Sequence, residues 1–199
     1  MKFIQYPIIT ALCSLLITFP ITGCTVSQAK INTVVQNIAN YAPIITTNAT
    51  ALATEVQSFD PADAVLIQKS LTILLRDGPL LTTLCNQYLA NPSSSVLNQI
   101  AALVNELATV DSDALLVVLQ VKNPQSLETA KMILAGIATA VTILSVYLSS
   151  INVQVSPAAK QAIKQMAPYV KTTLMVSELN KAKSQGLISK NISLQAFGF

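Results

Sequence analysis

Residues that could act as nucleophiles or general bases are scarce in this chain of 199 residues, which contains no histidine. Histidine is the usual general base near neutral pH and a common metal ligand. Two serine and lysine pairs, Ser156 with Lys160 and Ser177 with Lys181, are each spaced four residues apart. A Ser-x-x-Lys nucleophile needs a spacing of three. The sequence therefore predicts no catalytic residues.

The acidic residues Asp111 and Asp113 begin like a calcium-binding loop, in which oxygen ligands alternate along a short run. Leu115 and Leu116 stand where such a loop needs a further ligand and a glycine. We therefore interpret the two acids as helix caps and predict no metal site. The sequence also has no glycine-rich phosphate-binding loop, so we predict no cofactor other than a covalent lipid, which is argued below.

Three cysteines offer thiol chemistry, and they differ in context. Cys13 lies within an apolar amino-terminal run, Cys24 follows Gly23 just after that run, and Cys85 lies in an apolar stretch in mid-chain. We predict that Cys85 is a small buried side chain rather than a reactive thiol. If Cys24 is modified, no internal disulfide is possible in the mature chain; if it is not, a bridge between Cys24 and Cys85 becomes possible.

The first 24 residues are arranged like an exported precursor. Lys2 supplies a positive charge, residues 3–19 are uncharged and mostly apolar, and Pro20 ends the run. The segment Ile21-Thr22-Gly23-Cys24 then resembles the lipobox of bacterial lipoprotein precursors, in which an aliphatic residue, a small or hydroxylated residue and Gly or Ala precede a cysteine. The resemblance implies cleavage between Gly23 and Cys24, removal of residues 1–23 as a signal peptide, and a diacylglycerol on the Cys24 sulfur.

The same resemblance implies a location. Buried acyl chain contributes about 0.8 kcal/mol per methylene, so two or three chains on Cys24 would hold the protein to a bilayer almost permanently. Thr25, rather than Asp, follows the cysteine. In a Gram-negative source this is similar to the outer-membrane default, with the protein facing the periplasm. The alternatives are an ordinary secretory signal and an uncleaved membrane anchor, because residues 3–26 are long enough to span.

Composition limits the remainder to one domain. The 176 residues after residue 23 are enough to bury roughly two-thirds of their extended surface in a single core. Charged residues make up 11% of the chain and apolar residues 52%, whereas disorder requires low hydrophobicity and high charge. Without Lys2 the chain carries 11 basic and nine acidic residues. With so small an excess, and outside the cytoplasm, nucleic acid is not an expected partner.

Apolar residues recur at alternating spacings of three and four in two segments, a pattern typical of one long helix lying against another. The first seam comprises Ile31, Val35, Ile38, Ala42, Ile45, Ala49, Leu52, Val56 and Phe59, and the second Leu127, Ala130, Leu134, Ile137, Val141, Leu144, Leu148, Ile151 and Val155. We predict an all-α fold, a single helical bundle of five to seven helices over residues 31–186, with a tether at 24–30 and an irregular tail at 187–199. The seams could pair within one chain or form a homo-oligomer.

Prolines and polar caps divide this pattern into predicted helices. Helix starts are predicted at Asp60-Pro61, at Ser93 to Ser95 and at Ser156-Pro157. Kinks are predicted at Pro43, where the segment could be two helices, and at Pro168. We also predict a stop at Arg76-Asp77-Gly78-Pro79, a separate helix from Pro79 to Ala90, and a short helix starting at Asp111 or Ser112.

Charge is uneven along the chain. Residues 24–121 carry three basic and seven acidic residues, and residues 122–199 carry eight basic and two acidic ones. Lys160, Lys164 and Lys171 have helical spacing, which predicts a basic face that is either solvated or in contact with anionic headgroups or an acidic partner. The uncharged run at 132–159 makes a transmembrane span at 132–151 the alternative to a central bundle helix.

These observations favour a membrane-anchored, non-catalytic lipoprotein that acts through protein–protein contacts at the cell envelope, as an assembly component or an exclusion-type factor that occupies an envelope partner. The alternative is a carrier of lipid or another hydrophobic ligand, with its cavity between the helices; it is motivated by the apolar excess. An enzyme ranks last, because it would need Cys85 to be exposed and activated.

Overall fold

A computed structural model describes residues 26–120 and 124–190. Within these residues six α-helices follow one another, and a short 3-10 turn at Ala167–Tyr169 separates the last two. The helices are α1 (Gln28–Val56), α2 (Pro61–Ala90), α3 (Ser94–Val118), α4 (Pro124–Ser150), α5 (Pro157–Met166) and α6 (Thr172–Ser184). The described ranges contain no strand. The predicted all-α bundle is therefore confirmed.

Helices α1 to α4 close into a four-helix core. Helix α1 packs against α2 and α4, and α3 packs against the same two helices. The Gln28 side-chain amide donates a 2.9 Å hydrogen bond to the Tyr88 hydroxyl, so the start of α1 lies beside the end of α2. Helix α5 lies on α3, and α6 lies on α4. This up-and-down order follows from the short connections between successive helices.

Both predicted seams are buried, and they meet within one chain. Every seam residue is buried except Ile31 and Leu127, which are partly buried against the same core. Helices α1 and α4, which carry the two seams, pack directly on each other. A homo-oligomer remains a prediction, and it would have to use a different surface.

Serine side chains start three of the helices. The backbone N–H groups of Lys30, Val96 and Ala159 donate to the hydroxyls of Ser27, Ser93 and Ser156, at 3.3, 3.2 and 3.1 Å. The starts at Ser93 and Ser156 were predicted, and Pro61 occupies the first turn of α2 as expected. Helix α1 begins at Gln28 rather than Ile31, so the polar segment before it is shorter than the predicted tether.

The predicted stop at residues 76–79 and the separate helix from Pro79 are wrong, because α2 runs unbroken from Pro61 to Ala90. The Asp77 carboxylate is buried, and it accepts hydrogen bonds from Arg76 Nε at 2.5 Å and Nη2 at 3.1 Å. Gly78 lies against α1, where an added Cβ would come within 2.6 Å of Thr46 Oγ1. Packing against α1 and the Arg76 to Asp77 ion pair therefore outweigh the unfavourable helix propensities of Gly78 and Pro79.

The predicted short helix at Asp111 or Ser112 is also wrong, because α3 continues from Ser94 to Val118. Neither acid caps a helix start. Asp111 is fully buried, and the adjacent Ser112 hydroxyl donates to the Gln165 side-chain oxygen at 3.0 Å. This bond fastens α5 to α3.

Kinks were predicted at Pro43 and Pro168, and the two prolines affect their helices differently. Helix α1 continues through Pro43 as one helix, so the possible division into two helices is not seen. At Pro168 the expected kink is a full break, since α5 ends at Met166 and α6 begins at Thr172. The Lys171 backbone N–H donates to Thr139 Oγ1 of α4 at 3.0 Å, which holds the break against the core.

Helix α4 is the central helix of the bundle. Its buried hydroxyls on Thr139, Thr142 and Ser145 donate to carbonyls four residues earlier, so they need no partner on another helix. By length and composition, Leu127–Ser150 is long and apolar enough to cross a membrane, with a mean hydropathy of 2.0. In its most apolar window, 72% is buried inside the bundle, which is what a central core helix shows. The span at 132–151 stays the alternative prediction.

Candidate functional site

The predicted cleavage and lipidation site, at Gly23 and Cys24, lies outside the described ranges. The structure begins at Val26, two residues after Cys24, and α1 begins at Gln28. A chain advances at most about 3.6 Å per residue, so the folded body starts within about 14 Å of Cys24. A lipid on the Cys24 sulfur would therefore lie close to the start of α1.

Cys85 is free and fully buried in α2. Burial raises the pKa of its thiol to about 12, because the thiolate would lose its hydration. A thiol with so high a pKa is a poor nucleophile at neutral pH. The predicted role of Cys85 as a small core side chain agrees with this position.

No group of three or more His, Cys, Asp or Glu side chains that could hold a metal occurs in residues 26–120 and 124–190. Asp111 is fully buried, as is Asp77, but neither carboxylate oxygen of Asp111 has a hydrogen-bond partner in the described residues. Burial raises the pKa of this carboxyl well above its ordinary value. The apolar surroundings of this carboxyl therefore favour its neutral form over its charged form.

A polar cluster that the sequence did not predict joins α6 to the core. The Tyr147 hydroxyl of α4 donates to Glu178 Oε2 of α6 at 2.9 Å, and Lys181 Nζ lies 3.4 Å from the same oxygen. Tyr41 of α1 also lies beside Glu178. The pKa values of both phenols are raised, first by burial and then by the neighbouring carboxylate. Asn37 of α1 completes the contact by donating to the Gln185 side-chain oxygen at 3.1 Å.

The cavity beside this cluster is small. Its walls are apolar side chains of α4 and α6 together with Tyr147 and Glu178, and its volume is about 10 Å³. That is at most room for one water molecule. Glu178 is largely buried, but the cavity beside it is too small for a substrate. The hydrogen bonds of this cluster instead attach α6 to α1 and α4.

A larger concave feature lies on the surface between α1 and α2. The open groove has a volume of about 320 Å³, and its lining residues are Pro43, Thr46, Thr47, Pro79 and Thr82. The two helix-interior prolines thus lie on the same groove, although 36 positions separate them in the sequence. A proline leaves the carbonyl four residues earlier without its helical N–H partner, so each wall has a backbone acceptor that the helix does not use.

The side chains that line this groove are uncharged. Residues 31–54 of α1 and 78–105 of α2 and α3 contain no Asp, Glu, Lys or Arg. Ile44 and Leu80, next to the two prolines, are 38% and 41% exposed. The two long uncharged runs are visible in the sequence. The sequence did not predict that residues of both runs line one groove. A groove of this kind suits apolar and hydroxyl-bearing groups of a partner rather than an ion.

The structure separates the three lysines that were predicted to share a face. Lys160 and Lys164 are exposed on α5, whereas Lys171 precedes α6 on the other side of the break at Pro168. Ser156 N–H donates to Asn105 Oδ1 and Ser112 pairs with Gln165, so α5 lies along the second half of α3. Each lysine is available to solvent, but no continuous helix carries all three.

Comparisons with known proteins give no further assignment: no family model, no curated protein and no solved structure matches the chain.

Proposed function

We propose that this protein is a bacterial lipoprotein, anchored to the cell envelope through acyl chains on Cys24, whose helical body is non-catalytic and works by protein–protein contact. The observation that carries the proposal is the segment Ile21-Thr22-Gly23-Cys24 directly after an uncharged apolar run. In a Gram-negative source the anchor would lie in the outer membrane, with the body facing the periplasm.

The described body supports the non-catalytic half of this proposal. Its free thiol, on Cys85, is buried, and the carboxyl of Asp111 is fully buried in the core. The acid that lies beside two tyrosines, Glu178, is engaged in fastening α6. A reaction needs a nucleophile or base within reach of a bound substrate, and neither feature offers this.

We propose that the groove between α1 and α2 is the contact surface for an envelope protein partner. The groove is lined by prolines and threonines, and the partly exposed Ile44 and Leu80 are sequence neighbours of the two prolines. Interfaces of this kind are depleted in charge at their centre. Lys160, Lys164 and Lys171 remain candidate contacts for an acidic partner at a different face. The role would be that of an assembly component or an exclusion-type factor.

The test of partner contact is photo-crosslinking in intact envelopes. A photoreactive amino acid replaces Thr47 in the groove, and a matched control carries it at exposed Gln161 on α5. We expect one dominant crosslinked species from position 47 and not from position 161. Crosslinks only between copies of this protein, or equal products from both positions, would contradict the groove assignment.

The hydrophobic-ligand carrier remains the alternative, and its support is the apolar excess of the chain. The apolar side chains are, however, used in packing one continuous core, and the cavity between α4 and α6 holds about 10 Å³. Ligand pockets usually have volumes of about 300 to 1,000 Å³ and enclose most of the ligand, whereas the groove between α1 and α2, at about 320 Å³, is open at the surface. No specific feature of the described helices favours the carrier over the contact function.

A further inference from the structure

The bundle has two chemically different ends. We use the name proximal end for the end at which α1 and α3 begin and α2, α4 and α6 finish. Its position is fixed by the Gln28 to Tyr88 hydrogen bond and by the Asn37 to Gln185 hydrogen bond. Asn37 lies nine residues into α1, about 14 Å along the helix from Gln28. The last turn of α6 therefore lies about 14 Å along the bundle from the start of α1, in the half of the bundle that contains this start.

Lysines collect at this proximal end. Lys181 and Lys183 occupy the last turn of α6, Lys190 follows shortly after it, and Lys30 lies in the first turn of α1. Lys181 and Lys190 are exposed, and Lys30 and Lys183 are partly exposed. Lys30, Lys181 and Lys183 thus lie on helix segments in the half of the bundle that contains the start of α1, and Lys190 follows the last residue of α6 by six positions.

Acidic residues are nearly absent from the same end. Residues 28–54, 78–105 and 129–177 contain no Asp or Glu, and these ranges include every described helix segment at the proximal end other than α6. The acid on α6, Glu178, is largely buried and tied to Tyr147 and Lys181. Toward the opposite end, Asp60, Asp113 and Glu128 are exposed and Glu55 and Asp63 are partly exposed, together with the basic residues Lys69 and Lys131. The exposed Glu106 lies midway along α3.

We infer that the proximal end is a docking face for an anionic phospholipid surface, on which Lys30, Lys181, Lys183 and Lys190 contact the headgroups. The inference rests on the proposed lipid anchor at Cys24, which would bring this end to the bilayer. The short stretch between Cys24 and α1 keeps the start of α1 within about 14 Å of the anchor. Lysines near an anionic leaflet are attracted within a Debye length, and carboxylates would be repelled. The acids at the far end therefore favour the same orientation.

This inference differs from the sequence-based assignment of the basic face. Lys160 and Lys164 lie on α5 beside the second half of α3, away from the start of α1. Lys171 lies against Thr139 in the middle of α4. These three lysines are therefore internal controls, because they have the same amine chemistry on the same protein without the same position.

The test is lysine footprinting of the lipidated mature protein in vesicles. Protein in vesicles of phosphatidylglycerol mixed with phosphatidylcholine is treated with an amine-acylating reagent, and labelling at each lysine is read by peptide mass spectrometry. The reference is protein in vesicles of phosphatidylcholine alone. We expect labelling of Lys30, Lys181, Lys183 and Lys190 to slow about threefold or more in the anionic vesicles, and high salt to remove the difference. Lys160, Lys164 and Lys171 should change little.

A pair of variants gives a second readout. Lys183→Glu with Lys190→Glu should reduce the protection of Lys30, whereas Lys160→Glu with Lys164→Glu should leave it unchanged; thermal melts show that each variant is folded. Equal protection at both sets of lysines, or protection of only Lys160 and Lys164, overturns the inference while leaving the lipid anchor intact. A mature protein without acyl mass overturns the proposed function and this inference together.

Discussion

The Tyr147 hydroxyl on α4 donates a 2.9 Å hydrogen bond to Glu178 Oε2 on α6. Helix α6 also buries Met175, Leu179 and Ala182 against the core, and the Asn37 to Gln185 hydrogen bond is a second polar contact at its end. A hydrogen bond to a charged acceptor contributes about 1.5 to 3 kcal/mol to stability. Helix α6 also carries Lys181 and Lys183, so under the proposed membrane docking its position decides where these two lysines lie.

Removing the Tyr147 hydroxyl should loosen α6. We predict that Tyr147→Phe lowers the free energy of unfolding by about 1 to 3 kcal/mol, because Glu178 loses a buried donor. A double-mutant cycle with Glu178→Gln, measured by urea denaturation, should give a coupling energy of at least about 0.5 kcal/mol. Tyr169→Phe, on the 3-10 turn, is the control. Additive effects of the two variants would show that the bond contributes nothing.

Replacing the buried acid Asp111 should stabilise the protein at neutral pH. Its pKa is raised by burial, so the folded state keeps a proton that the unfolded state has already released. Stability is then lost as pH rises from the ordinary aspartate pKa toward the raised one. We predict that Asp111→Asn raises the free energy of unfolding at pH 7 by about 1 to 3 kcal/mol.

The pH profile distinguishes this explanation from a general effect of the amide. Denaturation of the wild type should show stability falling between mildly acidic and neutral pH, and Asp111→Asn should flatten that part of the curve. Asp113→Asn, at an exposed neighbouring position, should leave it unchanged. If Asp111→Asn destabilises the protein equally at every pH, the carboxyl has a partner that the structure does not show.

Gly78 should be more important for packing than for helix propensity. Alanine is favoured over glycine in a helix by about 1 kcal/mol, but a Cβ at this position would lie 2.6 Å from Thr46 Oγ1 and 3.3 Å from the Thr46 backbone nitrogen. We predict that Gly78→Ala lowers the free energy of unfolding by about 1 to 3 kcal/mol. Thr46→Ala in the same chain should restore part of the loss. A more stable Gly78→Ala protein would mean that the helices separate without cost.

The thiol of Cys85 should be unreactive until the protein unfolds. Burial and a pKa of about 12 leave little thiolate at pH 8. We expect a thiol reagent to modify Cys85 of the folded protein at least about tenfold more slowly than in denaturant. Rapid modification of the folded protein would reopen the enzyme hypothesis and contradict the buried position.

The helix pattern could be predicted because it depends on local spacing. The spacing of nearby residues predicts the burial of seam residues such as Ile38 and Leu144. It likewise predicts the capping role of Ser156. The continuity of α2 through Pro79 could not be predicted, because it depends on Arg76 neutralising Asp77 and on α1 lying against Gly78. For the same reason the sequence predicted a cap at Asp111, where the folded chain places a buried side chain.

The candidate site was less accessible to sequence reasoning than the fold. Glu178 lies 31 positions from Tyr147 and much further from Tyr41, and no motif links them. The groove prolines and the proximal lysines are likewise brought together by helix packing alone. The sequence did predict the site at Cys24 from its flanking residues, because a signal of the predicted kind is recognised before the chain folds.

The most direct test of the central claim is the intact mass of the mature protein extracted from membranes. We predict a chain that begins at Cys24, lacks residues 1–23, and carries the mass of two or three acyl chains. Cys24→Ala should abolish both the cleavage and the added mass, whereas Cys85→Ala should retain them. A mature protein that still carries residues 1–23, or that has an unmodified Cys24, would contradict the lipid anchor.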